Sequence, residues 1–381
     1  WHLTKQAMGP AMAAALVGMI IGAAGGGRLG DAWGRRPLLI ACLGCFGVAT
    51  LLTSLADGPV AVAWLRWVAG IGFGAGLSNA MALTAESGSV RSSFQTVNLV
   101  ILGIPVGGML GAAIANALLP AFGWRAVFGV AGALPCMLAL AMYLLLPESP
   151  RFLSRRAEAA AGRTDSAAAR PGWRSLMKPA FRRSTLGLGL AFFASLAVSY
   201  AFFSWIPTMM VSLGYSGSIG IRAALLFNLF GALGAALGGK LLSPFGGRIA
   251  PLTYVGIGII SMGLLTMLIL GAGRGDADPG VLTGLLIGLS AAGIANIGTQ
   301  AALYGLAATA YPTELRATGI GLAASVGRTG ALLSAYFGGA ILSAGSGSSM
   351  FLVLAGALYL LSGLGVLIVD RLPARTRVDS A

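Results

Sequence analysis

The chain has 381 residues, of which 57% are hydrophobic and 9% charged, where an ordinary soluble domain carries about 25% charged residues. Its net charge of +14 comes from 25 Lys and Arg against 11 Asp and Glu, but the cations are scattered through short segments between apolar runs, which argues for membrane topology and against a nucleic-acid partner. One histidine (His2) and three cysteines lying in apolar runs (Cys42, Cys45, Cys136) exclude a hydrolytic triad or a histidine-based metal centre, so neither enzyme activity nor a cofactor is expected.

Eleven apolar runs are each long enough to cross a hydrocarbon core of about 30 Å. They cover approximately residues 9–27, 38–56, 60–84, 95–119 and 125–146, then 185–211, 220–243, 250–272, 280–307, 318–344 and 350–369. Counting cations at run ends with the adjoining segment, 19 of the 25 fall in alternate connecting segments, four lie on the opposite side and two, Arg66 and Arg328, lie well inside apolar runs. By the positive-inside rule the basic segments face the cytoplasm and residues 1–8 lie outside. Residues 147–184, rich in Arg, Ala and Ser, have too few apolar residues to span or to pack, and read as a flexible cytoplasmic linker. The expected class is therefore an all-α integral membrane protein with an N-terminal bundle (1–146), a linker (147–184), and a C-terminal bundle with a short tail (185–381). Abundant glycine, 59 residues, suits helices that approach closely in lipid.

The two halves look duplicated. Gly27-Arg28-Leu29-Gly30-Asp31-Ala32-Trp33-Gly34-Arg35-Arg36 aligns without gaps on Gly239-Lys240-Leu241-Leu242-Ser243-Pro244-Phe245-Gly246-Gly247-Arg248, and Thr84-Ala85 with Arg91 matches Thr309-Ala310 with Arg316. The first segment follows the first run of its half, whereas its counterpart follows the second. A further span before Trp1 is the expectation, so that these are eleven of twelve helices.

On these residues the chain resembles the major facilitator superfamily, transporters built from two six-helix halves. Gly27-x-Leu29-x-Asp31-x-x-Gly34-Arg35-Arg36 is similar to that superfamily's loop between helices 2 and 3. Arg66-x-x-x-Gly70-x-Gly72-x-Gly74-x-Gly76 is similar to its helix 4 motif. Pro147-Glu148-Ser149-Pro150-Arg151 resembles the segment after helix 6, and Tyr311-Pro312-Thr313-Glu314-Leu315-Arg316 the loop before helix 11. Within the superfamily, Ser78-Asn79-Ala80-Met81-Ala82-Leu83-Thr84-Ala85-Glu86 and Gly327-Arg328-x-Gly330 most resemble the aromatic acid:proton symporters. That resemblance implies a monomer in the bacterial inner membrane that imports benzoate- or hydroxybenzoate-like carboxylates with protons by alternating access. Two departures stand out: the acidic motif of helix 1 is absent, and the counterpart of Asp31 is Ser243. Proton-coupled export of drugs or metabolites, or a non-transporting sensor or remnant, are the alternatives. The run Gly103-Ile104-Pro105-Val106-Gly107-Gly108 resembles an antiporter motif.

Arg328 lies ten residues into its run, about 15 Å deep. A cation there costs about 2.5–3.5 kcal/mol on insertion scales and needs a partner or a wet cavity. Its planar guanidinium either holds a substrate carboxylate or caps carbonyls between helices. Arg66 either snorkels to the outer interface, holds helix 4 against helix 1 or, as the resemblance implies, serves proton coupling. All eleven acids lie in loops, tails or run ends, leaving Glu86 as the other coupling candidate, or else a helix-end partner of Arg91. Gln300 shares one helix face with Tyr304 and with Asn296 at i, i+4 spacing. With Asn79, Asn228 and Tyr200 these polar groups either line a substrate site or hydrogen-bond between helices. Gly27, Asp31, Gly34, Arg35 and Arg36, with Arg316, are the implied gate. Phe192, Phe193, Phe202, Phe203 and Trp205 either stack on an aromatic substrate or pack.

Overall fold

In the computed structural model the described residues are 9–86, 90–148, 173–241, 247–271, 279–311, 313–344 and 347–370. Two compact units divide them near residue 167. The first contains α1 (Gly9–Trp33), α2 (Arg35–Thr53), α3 (Pro59–Glu86) and the stretch Val90–Leu145. That last stretch is two helices meeting at Gly123, whose φ of 72° and ψ of −179° lie outside the helical region and in a part of the map that only glycine enters freely. Its arms are α4 (residues 90–122) and α5 (residues 124–145). The second unit opens with a short 3-10 turn, Trp173–Met177. Six helices follow: α6 (Pro179–Ser212), α7 (Gly217–Leu241), α8 (Ile249–Gly271), α9 (Pro279–Ala310), α10 (Thr313–Ser343) and α11 (Gly347–Ile368). Five helices in one unit and six in the other match the eleven runs read from hydropathy. Among the described residues nine stretches are long and apolar enough to cross a membrane, one of them running through the Gly123 break.

In the first unit α3 is the hub, and the glycine series on it explains why. Gly70 and Gly74 are four residues apart and face α1, where a Cβ on either would overlap the carbonyl of Ala15 or Met19. Gly72 and Gly76 face α2 instead, against Cys42. Alternating glycines on a helix thus make two smooth stripes, letting α3 press its backbone against two neighbours at once. Gly18 and Gly22 return the contact from α1, against the carbonyls of Trp67 and Ile71. In lipid, where apolar side chains gain nothing by leaving one another's company for the solvent, such close van der Waals packing is the main association force. On the far side of α2, Gly132 of α5 sits against the backbone of Leu51.

In the second unit α6 is the hub. Leu188, Phe192, Val198, Phe202, Ile206, Met209 and Met210 on it are wholly buried. Gly327 and Gly330 bring α10 onto α6, where a Cβ would meet the backbone of Phe192 or Phe193. Further along, Gly338 lies under the Trp205 ring, whose Nε1 donates to the Ala335 carbonyl at 3.2 Å. The Tyr254 hydroxyl of α8 donates to the Gly234 carbonyl of α7 at 2.6 Å. From the 3-10 turn, Leu176 is wholly buried in an apolar cluster with Leu306, Ala310, Tyr311, Leu315 and Val369. This end of the linker is therefore ordered against the unit, whereas residues 149–172 of the expected linker lie outside the described ones.

Candidate functional site

Arg328 is the sixteenth of the 31 residues of α10. Hydropathy starts this helix at 318 because Glu314 and Arg316 depress the score. The helix begins five residues earlier, which moves Arg328 to its midpoint, about 22 Å from either end at 1.5 Å per residue. The glycines on each side of it, Gly327 and Gly330, hold α10 on α6, so the arginine is set at the seam between the two helices. The hydroxyls of Tyr200 from α6 and Tyr304 from α9 lie within electrostatic range of its guanidinium. The Tyr304 ring meets Phe192 edge-on at 4.9 Å, and Tyr200 meets Phe203 in the same manner at 5.9 Å. Gln300, one turn from Tyr304, donates through Nε2 to Ser199 Oγ, and Ser199 Oγ in turn lies 2.6 Å from Asn296 Oδ1.

Residues of three helices thus lie about this cation, two phenols within its electrostatic reach and the Gln300 amide one helical turn from Tyr304. Chemically this set can grip a planar anion by the guanidinium fork, hydrogen-bond it from the tyrosines, and border its ring with aromatic edges. The remaining sequence candidates fall elsewhere. Asn296 is wholly buried against Ser199. Asn79 is buried in the first unit, its Nδ2 donating to the carbonyls of Gly26 at 2.9 Å and Ala75 at 2.8 Å, which ties α3 to α1. Asn228 donates to its own helix at Ala224, and its Oδ1 is buried without a partner. Of the aromatic series on α6, Phe192, Phe202 and Trp205 are packed inside the unit, with Phe202 against Phe227 and Phe351.

In the first unit Arg66 is the eighth residue of α3, half-buried, with its Nε buried and unpartnered. The proposed gate is partly visible. Gly34 has φ of 104° and makes the one-residue corner between α1 and α2, and Gly30 gives way to Asn79 Oδ1. Gly30 and Gly34 therefore have local structural causes. The Arg36 amide donates to Glu148 Oε1 at 3.1 Å, and its guanidinium donates to the Tyr143 carbonyl at 2.6 Å while lying over the Tyr143 ring. Its aligned counterpart Arg248 donates to the Val369 carbonyl. Each arginine therefore binds a carbonyl at the C-terminal end of the last helix of its unit, where a cation also complements the helix dipole. Gly27, Asp31, Glu86 and Arg316 lie on α1, α1, α3 and α10; the side chains of these last three, like Asn98, are outside the described set. Sequence reading missed Ser199 and Tyr359, because a lone serine or tyrosine in an apolar run carries no periodic signal.

Residues 1–300 match the family model described as Major Facilitator Superfamily. The chain belongs to that superfamily. Among relatives of this superfamily, a gallate transporter of Pseudomonas putida is 32% identical over 96% of this chain and 84% of its own length. A 3-(3-hydroxy-phenyl)propionate transporter of Escherichia coli strain K12 is 33% identical over 99% of this chain and 87% of its own length. A 4-hydroxybenzoate transporter of Pseudomonas putida is 31% identical over 91% and 80%. A crystal structure of a D-xylose-proton symporter superposes with a TM-score of 0.75 at 20% identity, covering 98% of this chain and 90% of that one, which establishes the shared fold. This superfamily member is a multi-pass membrane transporter and not an enzyme, and the relatives above are each named as transporters of an aromatic acid.

Proposed function

We propose that this protein imports small aromatic carboxylates, benzoate- or hydroxybenzoate-like, together with protons, by alternating access across a bacterial inner membrane. The observation that carries the reading is Arg328 at the midpoint of α10 with Tyr200 and Tyr304 within reach of its charge, and with Gln300 a helical turn from Tyr304. An uncompensated cation at that depth is costly, and an anionic substrate supplies the missing charge only while bound. The names of the relatives, transporters of gallate, hydroxyphenylpropionate and 4-hydroxybenzoate, support the same substrate class. Proton coupling is assigned to Arg66 and Glu86. Gating is assigned to Gly27, Asp31, Gly34, Arg35 and Arg36 together with Arg316. In this reading the Gly34 corner and the Arg36 tie keep α2 and α5 together as a unit while the loop biases the conformational equilibrium.

Uptake of radiolabelled benzoate and 4-hydroxybenzoate into proteoliposomes under an imposed pH gradient tests the proposal. Accumulation driven by an acidic exterior is the expected result. Expulsion of preloaded acid would indicate exchange, and no movement in either direction would contradict transport.

A further inference from the structure

Besides Arg328, the interior of the second unit holds a polar chain of which the transport reading uses only one end, Gln300. It runs from Tyr359 on α11 through Asn296 on α9 and Ser199 on α6 to Gln300, back on α9. Tyr359, Asn296 and Ser199 are each wholly buried. Gln300 Nε2 donates to Ser199 Oγ. Ser199 Oγ lies 2.6 Å from Asn296 Oδ1 and 2.9 Å from the Ser195 carbonyl. The Tyr359 hydroxyl faces the Asn296 side chain, yet both Tyr359 Oη and Asn296 Nδ2 are buried without a hydrogen-bond partner.

Buried polar groups without partners are costly, and a network that contains them is held for a reason or relaxes. Turning the Asn296 amide over relieves both orphans together. The Tyr359 hydroxyl then donates to Asn296 Oδ1, Asn296 Nδ2 donates to Ser199 Oγ, and the one Ser199 proton goes to the Ser195 carbonyl. In either orientation of Asn296 the Ser199 proton has an acceptor other than Gln300, so Ser199 meets Gln300 with a lone pair. A primary amide has one donor end and one acceptor end. Its donor end being taken by Ser199, Gln300 presents Oε1, and among the described residues no hydrogen bond takes that oxygen up.

We propose that Ser199 is a specificity-determining residue: by holding the Nε2 end of Gln300 it leaves Oε1 facing the Arg328–Tyr304 cluster, so that the site prefers aromatic carboxylates bearing a ring hydroxyl over unsubstituted ones. The carboxylate and the hydroxyl are then read separately. The anionic end belongs to the arginine, and a bare carbonyl oxygen repels a second carboxylate while accepting a phenolic proton. Ser199 touches no ligand; it acts through Gln300, and is therefore a positioning residue. The inference rests on the proposed aromatic-acid site.

The test is equilibrium binding of benzoate and 3- and 4-hydroxybenzoate to the purified protein in nanodiscs, wild type against Ser199→Ala. Wild type should favour at least one hydroxylated acid by about three- to tenfold, the worth of one hydrogen bond. Ser199→Ala should leave benzoate affinity within about twofold while the preference falls to near unity, because an unpinned amide presents either end. A general loss of packing would instead weaken all three acids together. Gln300→Leu, which removes the acceptor itself, provides the second arm and should erase the same preference. If Ser199→Ala keeps the wild-type preference, whatever Gln300→Leu does, or if it weakens all three acids equally, the inference is overturned. If wild type binds none of the acids, the aromatic-acid reading itself fails and takes the inference with it.

Discussion

The two arginines buried in the apolar runs stand in opposite surroundings. Arg66 opens a helix whose regular glycine series is consumed by packing: Gly70 and Gly74 against α1, Gly72 and Gly76 against α2. Its Nε is buried without a partner, and its helix neighbours are structural. Arg328 lies at the centre of its helix within reach of two tyrosines, one from α6 and one from α9. A motif of regular spacing is thus mostly a solution to helix approach, whereas a cluster with no motif spacing is where ligand chemistry can assemble. The first kind is easy to see in a sequence and the second is not.

The largest expected effect separates the two arginines directly. Arg328→Ala should weaken binding of benzoate-type acids by about ten- to a hundredfold or more, the loss of a charge-assisted bidentate contact. Arg66→Ala should leave equilibrium binding within about threefold while slowing proton-driven uptake. Comparable binding losses in both variants, measured by titration calorimetry, would erase the contrast. Next, Asp31→Asn should slow uptake by about tenfold with binding affinity within about twofold, because a gate biases a conformational equilibrium and touches no ligand; parallel losses would remove Asp31 from the gate.

A smaller effect tests the packing half of the comparison. Gly70→Val forces a side chain onto the Ala15 carbonyl and should destabilise the protein by about 1–3 kcal/mol. Gly107→Val on α4, where a Cβ meets nothing within 4 Å, should stay within about 0.5 kcal/mol. Thermal unfolding in detergent compares them, and equal shifts would refute the packing role of the α3 series. The smallest effect concerns the duplicated cations. Arg36→Gln and Arg248→Gln should each cost about 0.3–1 kcal/mol, since each removes a cation from the C-terminal end of a helix. A twofold repeat predicts similar losses, and a large loss from only one of them would show that the two ties have diverged.

Much of the fold was legible because apolar length and cation placement are direct consequences of the bilayer. The helix count in each unit followed from these alone, and so did the Arg36–Arg248 correspondence, since a gap-free alignment put both residues at equivalent helix starts. Helix ends were less legible. Glu314 and Arg316 hid the first turns of α10, whereas the break at Gly123 falls between the two runs that became α4 and α5. The candidate site was legible only as a roster of polar residues. Tyr304 lies within reach of Arg328 with Gln300 a turn away, whereas Asn79 and Asn228 bind backbone carbonyls elsewhere. The i, i+4 spacing put Gln300 and Tyr304 on one face, but which helix that face meets is decided by packing. Ser199 and Tyr359 gave no signal for the same reason. The stacking role weighed for Phe192, Phe202 and Trp205 gives way to burial inside the unit.

The central claim is that the midpoint arginine of α10 recognises a carboxylate. It is met most directly by measuring the affinities of benzoate and benzamide, which share a ring and differ in charge, for wild type, Arg328→Lys and Arg328→Ala. If Arg328 holds the carboxylate, wild type binds benzoate much more tightly than benzamide. Arg328→Lys then weakens benzoate about tenfold, because the charge remains and the planar fork is lost, and Arg328→Ala abolishes benzoate binding while changing benzamide little. Equal loss of acid and amide in Arg328→Ala would contradict the claim and leave Arg328 as a residue that only holds helices together.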